Sequence, residues 1–451
     1  MTKMFVHDSL ARVNNLLADK DYRELKNLLT DLYAADVAEL FEHFETGDCI
    51  VLFRLLHKKK AAEVFSYLNA AQRKTIVTAI DKKTLSHILD ELYFDDKIDF
   101  LEEMPANFVR DVLANASAEE RGIINQFLDY PIGSAGSLMT IEYVDLPKHI
   151  TTSAAMERIK IVGVDKETIY TCYVLDSARH LEGLVSLRKL VLSENGHLIE
   201  SIMECDIIHV CVHDDQEKVA ELFKKYDLIA IPVVDEEKCL VGIITIDDIV
   251  DVIEQENTED FEKMAGMNPS DEAYLDTGVF KLARKRIVWL LVLMITATLT
   301  GSIITHFESL LSAAVILTAF IPMLMNSGGN AGSQSSTLII RGMALGEISL
   351  RDWLKILWKE FRVGLIAGTV LAITNFTRML LFGGNDISVS LTVSITLLFT
   401  VIGAKLVGGI LPVAAKAIRL DPAIMAGPFI TTIVDTFSLI IYFNIAKVLI
   451  R

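Results

Sequence analysis

The chain has 451 residues, 51% of them hydrophobic, with a mean hydropathy of +0.39 and a formal charge of −17. High hydropathy and high net charge seldom share one surface, and here they separate along the chain: residues 1–276 carry a net −25 and residues 277–451 a net +8. An acidic soluble module joined to a mildly basic, apolar one excludes a purely soluble enzyme, a disordered chain and a nucleic-acid binder working through bulk positive charge.

The amino-terminal MTKMFVHDSLARVNN lacks the apolar core of a signal peptide, which agrees with a cytosolic amino end. VAELFEHF from Val37, AAEVFSYL from Ala61, LSHILDEL from Leu85 and FVRDVLAN from Phe108 then recur at steps of 24, 24 and 23 residues. Each has apolar residues at helical spacing, and turn-like segments separate them. A period in this range predicts stacked helical repeats that bury their faces against neighbours, with a plain helical bundle as the alternative. Either way residues 1–133 form an all-α domain.

After Tyr130-PIGSAGS the texture changes to β-branched runs alternating with helical patterns: IYTCYVLD before LEGLVSLRKLV, then LIAIPVVD before LVGIITIDDIV. Gly183-LVSLRKL and Gly242-IITIDDI are one unit used twice, 59 residues apart, opened by Ser137-LMT and Ser201-IME. Each unit reads as strand, helix, strand, strand, helix, over about 137–200 and 201–256. The pair resembles tandem CBS domains, modules that often bind adenine nucleotides through a Ser/Thr and an Asp three residues on. The second unit has that pattern as Thr245 and Asp248, a candidate ribose site. The first has Ser186 followed by Lys189, and an ammonium cannot accept from ribose hydroxyls. The five cysteines (Cys49, Cys172, Cys205, Cys211, Cys239) show no CxxC spacing and read as reduced core residues.

Five transmembrane helices are expected in 277–451. Ile287–Thr305 is uncharged for 19 residues and Ser309–Ile340 for 32; further apolar spans run about Val363–Thr377, Ile387–Ala415 and Pro422–Ile450. Arg284, Lys285 and Arg286 before the first, Arg341 to Arg362 between the second and third, and Lys416 and Arg419 before the last place these loops on the cytoplasmic side and the C-terminus outside.

Two membrane segments carry chemistry. Pro322-MLMNSGGNAGSQSSTLIIRGMALGE has Gly328, Gly329 and Gly332 around Asn330, which predicts either irregular backbone lining a wet cavity or close packing through small residues. In Asp421-PAIMAGPFITTIVDTFSLIIYF, Asp435 sits within an apolar span, at a cost of roughly 2.5–3.5 kcal/mol on insertion scales. Pro428, Thr432 and Asp435 share a helix face, and Pro428 is expected to free a carbonyl one turn earlier. Carboxylate, hydroxyl and carbonyl oxygens suit a hard cation, and a single carboxylate per chain suits Mg²⁺ passing with its water shell. A structural Asp435–Lys405 pair is the competing reading. Asn330, Gly328, Pro428 and Thr432 are the candidate pore-lining residues.

The order of parts, GGNAGSQSSTLIIRGMALGE and DPAIMAGPFITTIVD together resemble the MgtE family of magnesium channels over essentially the whole chain. The resemblance implies a homodimer in the bacterial inner (plasma) membrane with its pore between subunits. It implies Mg²⁺ bound at Asp435, a connecting plug helix over 251–276, a pore domain over 277–451, and closure by cytosolic Mg²⁺. By similarity the metal residues are Asp435, Asp421, Glu63, Asp95, Asp99, Gly136 (through its carbonyl), Glu217, Asp227, Asp248, Asp251, Glu256, Glu259 and Asp260. Asp95 and Asp99 are an i,i+4 pair on one helix face, and such acids would repel unless cations bridge them. Other readings are a broader divalent transporter passing Mn²⁺, Co²⁺ or Ni²⁺, and a non-conducting, membrane-anchored ATP sensor. No Walker lysine, Ser–His–Asp order or zinc-ligand spacing suggests an enzyme.

Overall fold

The computed structural model describes residues 2–270, 274–275, 277–382 and 386–450. Residues 271–273 and 276 of the expected plug segment, and 383–385 of the loop before Ile387, lie outside them. The chain divides into two compact units, Met1–Ile253 and Glu254–Arg451.

The first unit begins with ten short helices, from Thr2–Ala18 to Ala118–Phe127. Their starts follow side-chain caps: Asp21, Asp81 and Ser117 each accept from a backbone N–H of the first turn, and Asn69 with Gln72 closes a capping box. Beyond the first two helices, which pack on each other, helices two apart in sequence make the main contacts. Ala34–Phe41 packs on Lys58–Ser66, which packs on Lys82–Glu91; Tyr22–Asp31 packs on Thr46–Leu55, which packs on Ala70–Ala79. The repeat therefore builds two stacked rows, and the 24-residue step is one helix from each row. Phe53, Phe65, Phe100 and Phe108 form a chain of tilted and edge-on ring contacts through the interior.

Two three-stranded sheets follow. In the first, β1 (Val144–Pro147) lies parallel to β2 (Thr171–Leu175), which is antiparallel to β3 (Leu181–Ser186). In the second, β4 (Val210–Cys211), β5 (Ala230–Val234) and β6 (Leu240–Thr245) repeat the order and senses. Each sheet takes a helix after its first strand, Thr152–Val162 and Gln216–Tyr226. The lead-in segments are exchanged. Thr140, ahead of β1, trades both backbone hydrogen bonds with Ile243 of β6, and Glu204, ahead of β4, does the same with Leu184 of β3. The repeated Gly and Met fit this exchange: a Cβ at Gly183 would strike Met203, and one at Gly242 would strike Met139 and the Thr140 carbonyl. Cys49 and Cys172 are buried as expected, whereas Cys205 and Cys211 are exposed and Cys239 is half-buried. At Cys211 the flanking Val210 and Val212 point inward while the thiol does not, and Cys205 stands between exposed Glu204 and Asp206.

The helix after β6 is a single 19-residue element, Ile246–Met264, so the last helix of the second sheet unit continues without a break into the expected plug. Five long helices dominate the second unit: Val279–His306, Ile321–Ala344, Trp353–Phe382, Ile387–Ala417 and Gly427–Leu449. Among the described residues four spans are long and apolar enough to cross a bilayer; the fifth helix, Ile321–Ala344, is the one enriched in glycine, serine and asparagine. The long uncharged run does not start as one helix: Glu308–Ala313 and a 3₁₀ stretch Val315–Phe320 precede it.

Candidate functional site

The glycine-rich segment is continuous helix, and the irregular-backbone expectation is corrected. Its glycines serve close packing. A Cβ at Gly328 would lie 2.8 Å from Thr400 and Val434, one at Gly329 2.9 Å from Thr431, and one at Gly332 2.7 Å from Ile430. Gly408 approaches Gly332 backbone to backbone, well inside the reach of a side chain. Gly328 is thus buried against neighbouring helices and not on an open face. The open face carries Asn326, Asn330 and Gln334, all exposed at intervals of four, with the Asn330 side-chain amide donating to Asn326 Oδ1 at 3.3 Å.

Gly427–Leu449 packs on that helix and carries Asp435, which is half-buried and makes no hydrogen bond or ion pair with another described residue. Lys405 is not its partner: its ammonium donates to Ser335 at 3.4 Å. Pro428 stands in the first turn of its helix, where the missing N–H frees no carbonyl. Instead the Pro428 carbonyl accepts from the Thr431 and Thr432 hydroxyls at 2.8 and 3.1 Å. Helix start, not helix interior, is what the preceding glycine signalled.

The C-terminal part of Ile246–Met264 holds Glu256, Glu259 and Asp260, and Glu259 and Asp260 come together with Asp421. A cation is already present among them: the Lys263 ammonium pairs with Glu259 and with Asp421, the latter at 2.7 Å. Asp421 also caps the short Pro422–Met425 turn by accepting from Ala423 N–H. Burial and the Asp421 charge raise Asp260, with Lys263 opposing. Lys263 was not flagged from sequence, although its i,i+4 relation to Glu259 was visible.

In the first unit a second acidic group forms on Phe94–Glu102. Asp95 and Asp99 do share a face with Asp248 nearby, and Asp96, Glu142, Glu167 and Asp247 join them. Burial and the charges of Asp248, Asp96 and Glu167 hold Asp95 well above the usual carboxylate range. Asp96 and Asp248 are pushed up to about 6 and Asp99 to about 7, chiefly by loss of solvent, with Arg73 opposing at Asp96. Glu167 reaches about 8 through burial and the charges of Asp247 and Asp248, and its Oε2 is shut from solvent with no hydrogen-bond partner among the described residues. Glu142 caps the Phe94 N–H at 3.3 Å and accepts from Thr140. Glu63 lies at the fringe, paired with Lys60 at 3.7 Å and acting on Tyr93.

The remaining expected ligands are dispersed. Glu217 and Asp227 stand at opposite ends of the 11-residue Gln216–Tyr226 helix, about 15 Å apart along its axis, too far to share one ion. Gly136 is buried, its N–H donating to Val212 and its Cα against the Tyr130 ring. Asp251 is exposed on Ile246–Met264. Among the described residues no three carboxylate, imidazole or thiol side chains converge tightly enough to cage a bare ion. Thr245 donates to Asp248 at 2.9 Å, so the candidate ribose pair is closed on itself, and Lys189 is paired with Glu204 at 3.2 Å.

A magnesium transporter MgtE from Thermus thermophilus is 35% identical over 441 residues, spanning 96% of this chain and 97% of its own. This chain belongs to the MgtE family. A magnesium transporter MgtE from Bacillus subtilis is 31% identical over the full length of both chains. The family model described as a divalent cation transporter matches residues 321–445, the MgtE intracellular N domain 32–133, and a CBS domain 199–255. Two solved structures align with TM-score 0.52: the soluble part of a magnesium transporter (31% identical, 56% of this chain, 99% of that one) and the cytosolic domain of the Mg²⁺ channel MgtE in complex with ATP (33%, 54% and 99%). Membership of MgtE places the chain among membrane transporters of magnesium and explains its CBS pair and apolar helices together.

Proposed function

We propose that the chain is a Mg²⁺-selective, channel-type transporter for Mg²⁺ uptake, working as a homodimer in the bacterial plasma membrane with its N-terminus in the cytoplasm and C-terminus outside. The observation that carries this reading is the row Asn326, Asn330 and Gln334, exposed on a helix of the apolar unit. Carboxamides do not face hydrocarbon without a hydrogen-bonding partner, so the row faces water and a second copy across the ion path. Its oxygens, with Thr432 and the unpaired carboxylate of Asp435, grip the water shell of Mg²⁺, an ion that gives up water reluctantly.

Gating follows from the acidic groups. Asp95, Asp99 and Asp248, with Asp96 and Glu167, repel one another when ionised and hold protons instead, until cytosolic Mg²⁺ displaces those protons and bridges the carboxylates; Glu259, Asp260 and Asp421 hold the plug at the mouth in the same state. Glu63, Gly136, Glu217, Asp227, Asp251 and Glu256 complete the regulatory set by resemblance. The test is growth of a bacterium deficient in Mg²⁺ uptake: wild type rescues at low Mg²⁺ and Asp435→Ala does not. Rescue by Asp435→Ala, or failure of wild type, refutes the assignment. Passage of Mn²⁺, Co²⁺ or Ni²⁺ is the second reading, since outer-shell contacts separate hydrated ions of similar size poorly, and metal analysis of loaded liposomes decides it.

The relative bound to ATP raises the same ligand for this chain. The Thr245–Asp248 bond and the Lys189–Glu204 pair argue for weak binding at most, and calorimetry with ATP decides it. Tight binding together with absent ion flux would favour a nucleotide sensor over a channel. The reading requires no enzymatic step.

A further inference from the structure

Behind the carboxamide row lies a charged group that the ion path does not use. Glu360 is 8% exposed, Lys405 7% and Ser335 1%, within the unit read as membrane-spanning. They come from three different helices, Trp353–Phe382, Ile387–Ala417 and Ile321–Ala344. The Ser335 hydroxyl donates to Glu360 Oε2 at 2.5 Å and accepts from the Lys405 ammonium at 3.4 Å, so one small side chain bridges the two charges. The space is shaped for the carboxylate: one turn beyond Lys405, a Cβ at Gly409 would lie 3.0 Å from the Glu360 side chain.

Either charge alone would be costly at this depth, and the two opposite charges offset one another across the Ser335 hydroxyl that contacts both. Ser335 follows Asn330 by five residues, a rotation of about 140° around the helix, so the bridge grips the face opposite the carboxamides. Rotating the helix to swing the row away would tear Ser335 from both charges. We propose that Glu360, Ser335 and Lys405 are positioning residues that fix the rotation of Ile321–Ala344 and thereby the aim of Asn326, Asn330 and Gln334 at the hydrated cation. This rests on the reading of that row as the ion path.

The experiment compares Glu360→Gln, Lys405→Met, the doubly neutral Glu360→Gln/Lys405→Met, Ser335→Ala and Asn330→Ala in proteoliposomes, measuring flux per folded transporter, half-saturating Mg²⁺ and the Mg²⁺:Co²⁺ flux ratio. Each single charge loss is expected to lower flux roughly tenfold and to move the Mg²⁺:Co²⁺ ratio, as a misaimed binding row would. The double variant is expected to recover most of the flux while the ratio stays shifted, because neutrality returns and the bridge does not. Ser335→Ala keeps both charges and is expected to shift the ratio in a folded protein, so the test survives poor folding of the single charge variants. A normal ratio in Ser335→Ala and the double variant, with only the folded yield reduced, overturns the proposal. If Asn330→Ala itself leaves flux and ratio untouched, the ion-path reading fails first; if Asn330→Ala changes them and no bridge variant does, only the positioning role fails.

Discussion

Replacing Glu167 with glutamine is expected to stabilise the first unit at neutral pH. Its carboxyl titrates near 8 in the fold against an ordinary 4.5, so the folded state holds a proton that the unfolded chain releases. With the folded value raised, the penalty is absent below about pH 4.5, grows as pH rises towards 8 and is constant above. At pH 7 it amounts to about 3 kcal/mol at one pH unit per ~1.4 kcal/mol, a ceiling that solvent relaxation trims to about 1–3 kcal/mol. Hydrogen exchange on the full-length protein reads this locally. Amides of Phe94–Glu102 and β2 in Glu167→Gln should show protection about tenfold or more above wild type at pH 7, with the gap closing towards pH 4.5. Magnesium at ten times its dissociation constant should add about 1.4 kcal/mol to wild type and less to the variant. Equal or lower protection at pH 7, or a gap that ignores pH, would refute the view of Glu167 as a buried member of a mutually repelling acidic group.

Gly408→Ala should cost about 1–3 kcal/mol, read as a lower thermal midpoint, because its Cβ meets the Gly332 carbonyl and neither backbone can step aside; an unchanged midpoint would contradict the contact. Lys263→Gln removes the built-in ammonium from Glu259 and Asp421. Proteolysis across 256–272 should then become steeply Mg²⁺-dependent, faster than wild type without the ion and equally slow at millimolar Mg²⁺, and identical profiles would count against the lysine as a fixed counter-ion.

Much of the architecture was legible because it repeats. Val37, Ala61, Leu85 and Phe108 mark one helix row at steps of 23 or 24 residues, and the Gly183 and Gly242 motifs mark equivalent strands, each packed on its own lead-in methionine. Asp95 and Asp99 were legible as a pair because helical spacing alone puts them on one face. Glu142 and Glu167 were not, since a lead-in segment and a loop deliver them to that face and no local period records it. The glycines around Asn330 mark close packing as well as they mark broken helix, and only the positions of Thr400, Thr431 and Val434 decide between the two. Lys405 looked like the counter-ion of Asp435 because both are lone charges in apolar runs, yet its ammonium donates to Ser335, which is bonded to Glu360.

The exchange of lead-in segments between the two sheets has a consequence for synthesis. The exposed edge of β3 is covered by Glu204 soon after it leaves the ribosome, whereas Thr140 must wait about a hundred residues for Ile243. Until β6 emerges, the stretch ahead of β1 has unsatisfied backbone groups open to any passing strand. Neither sheet is a self-sufficient folding unit, and the nascent chain closes the module only when its last strand arrives, immediately before the helix that leads to the membrane.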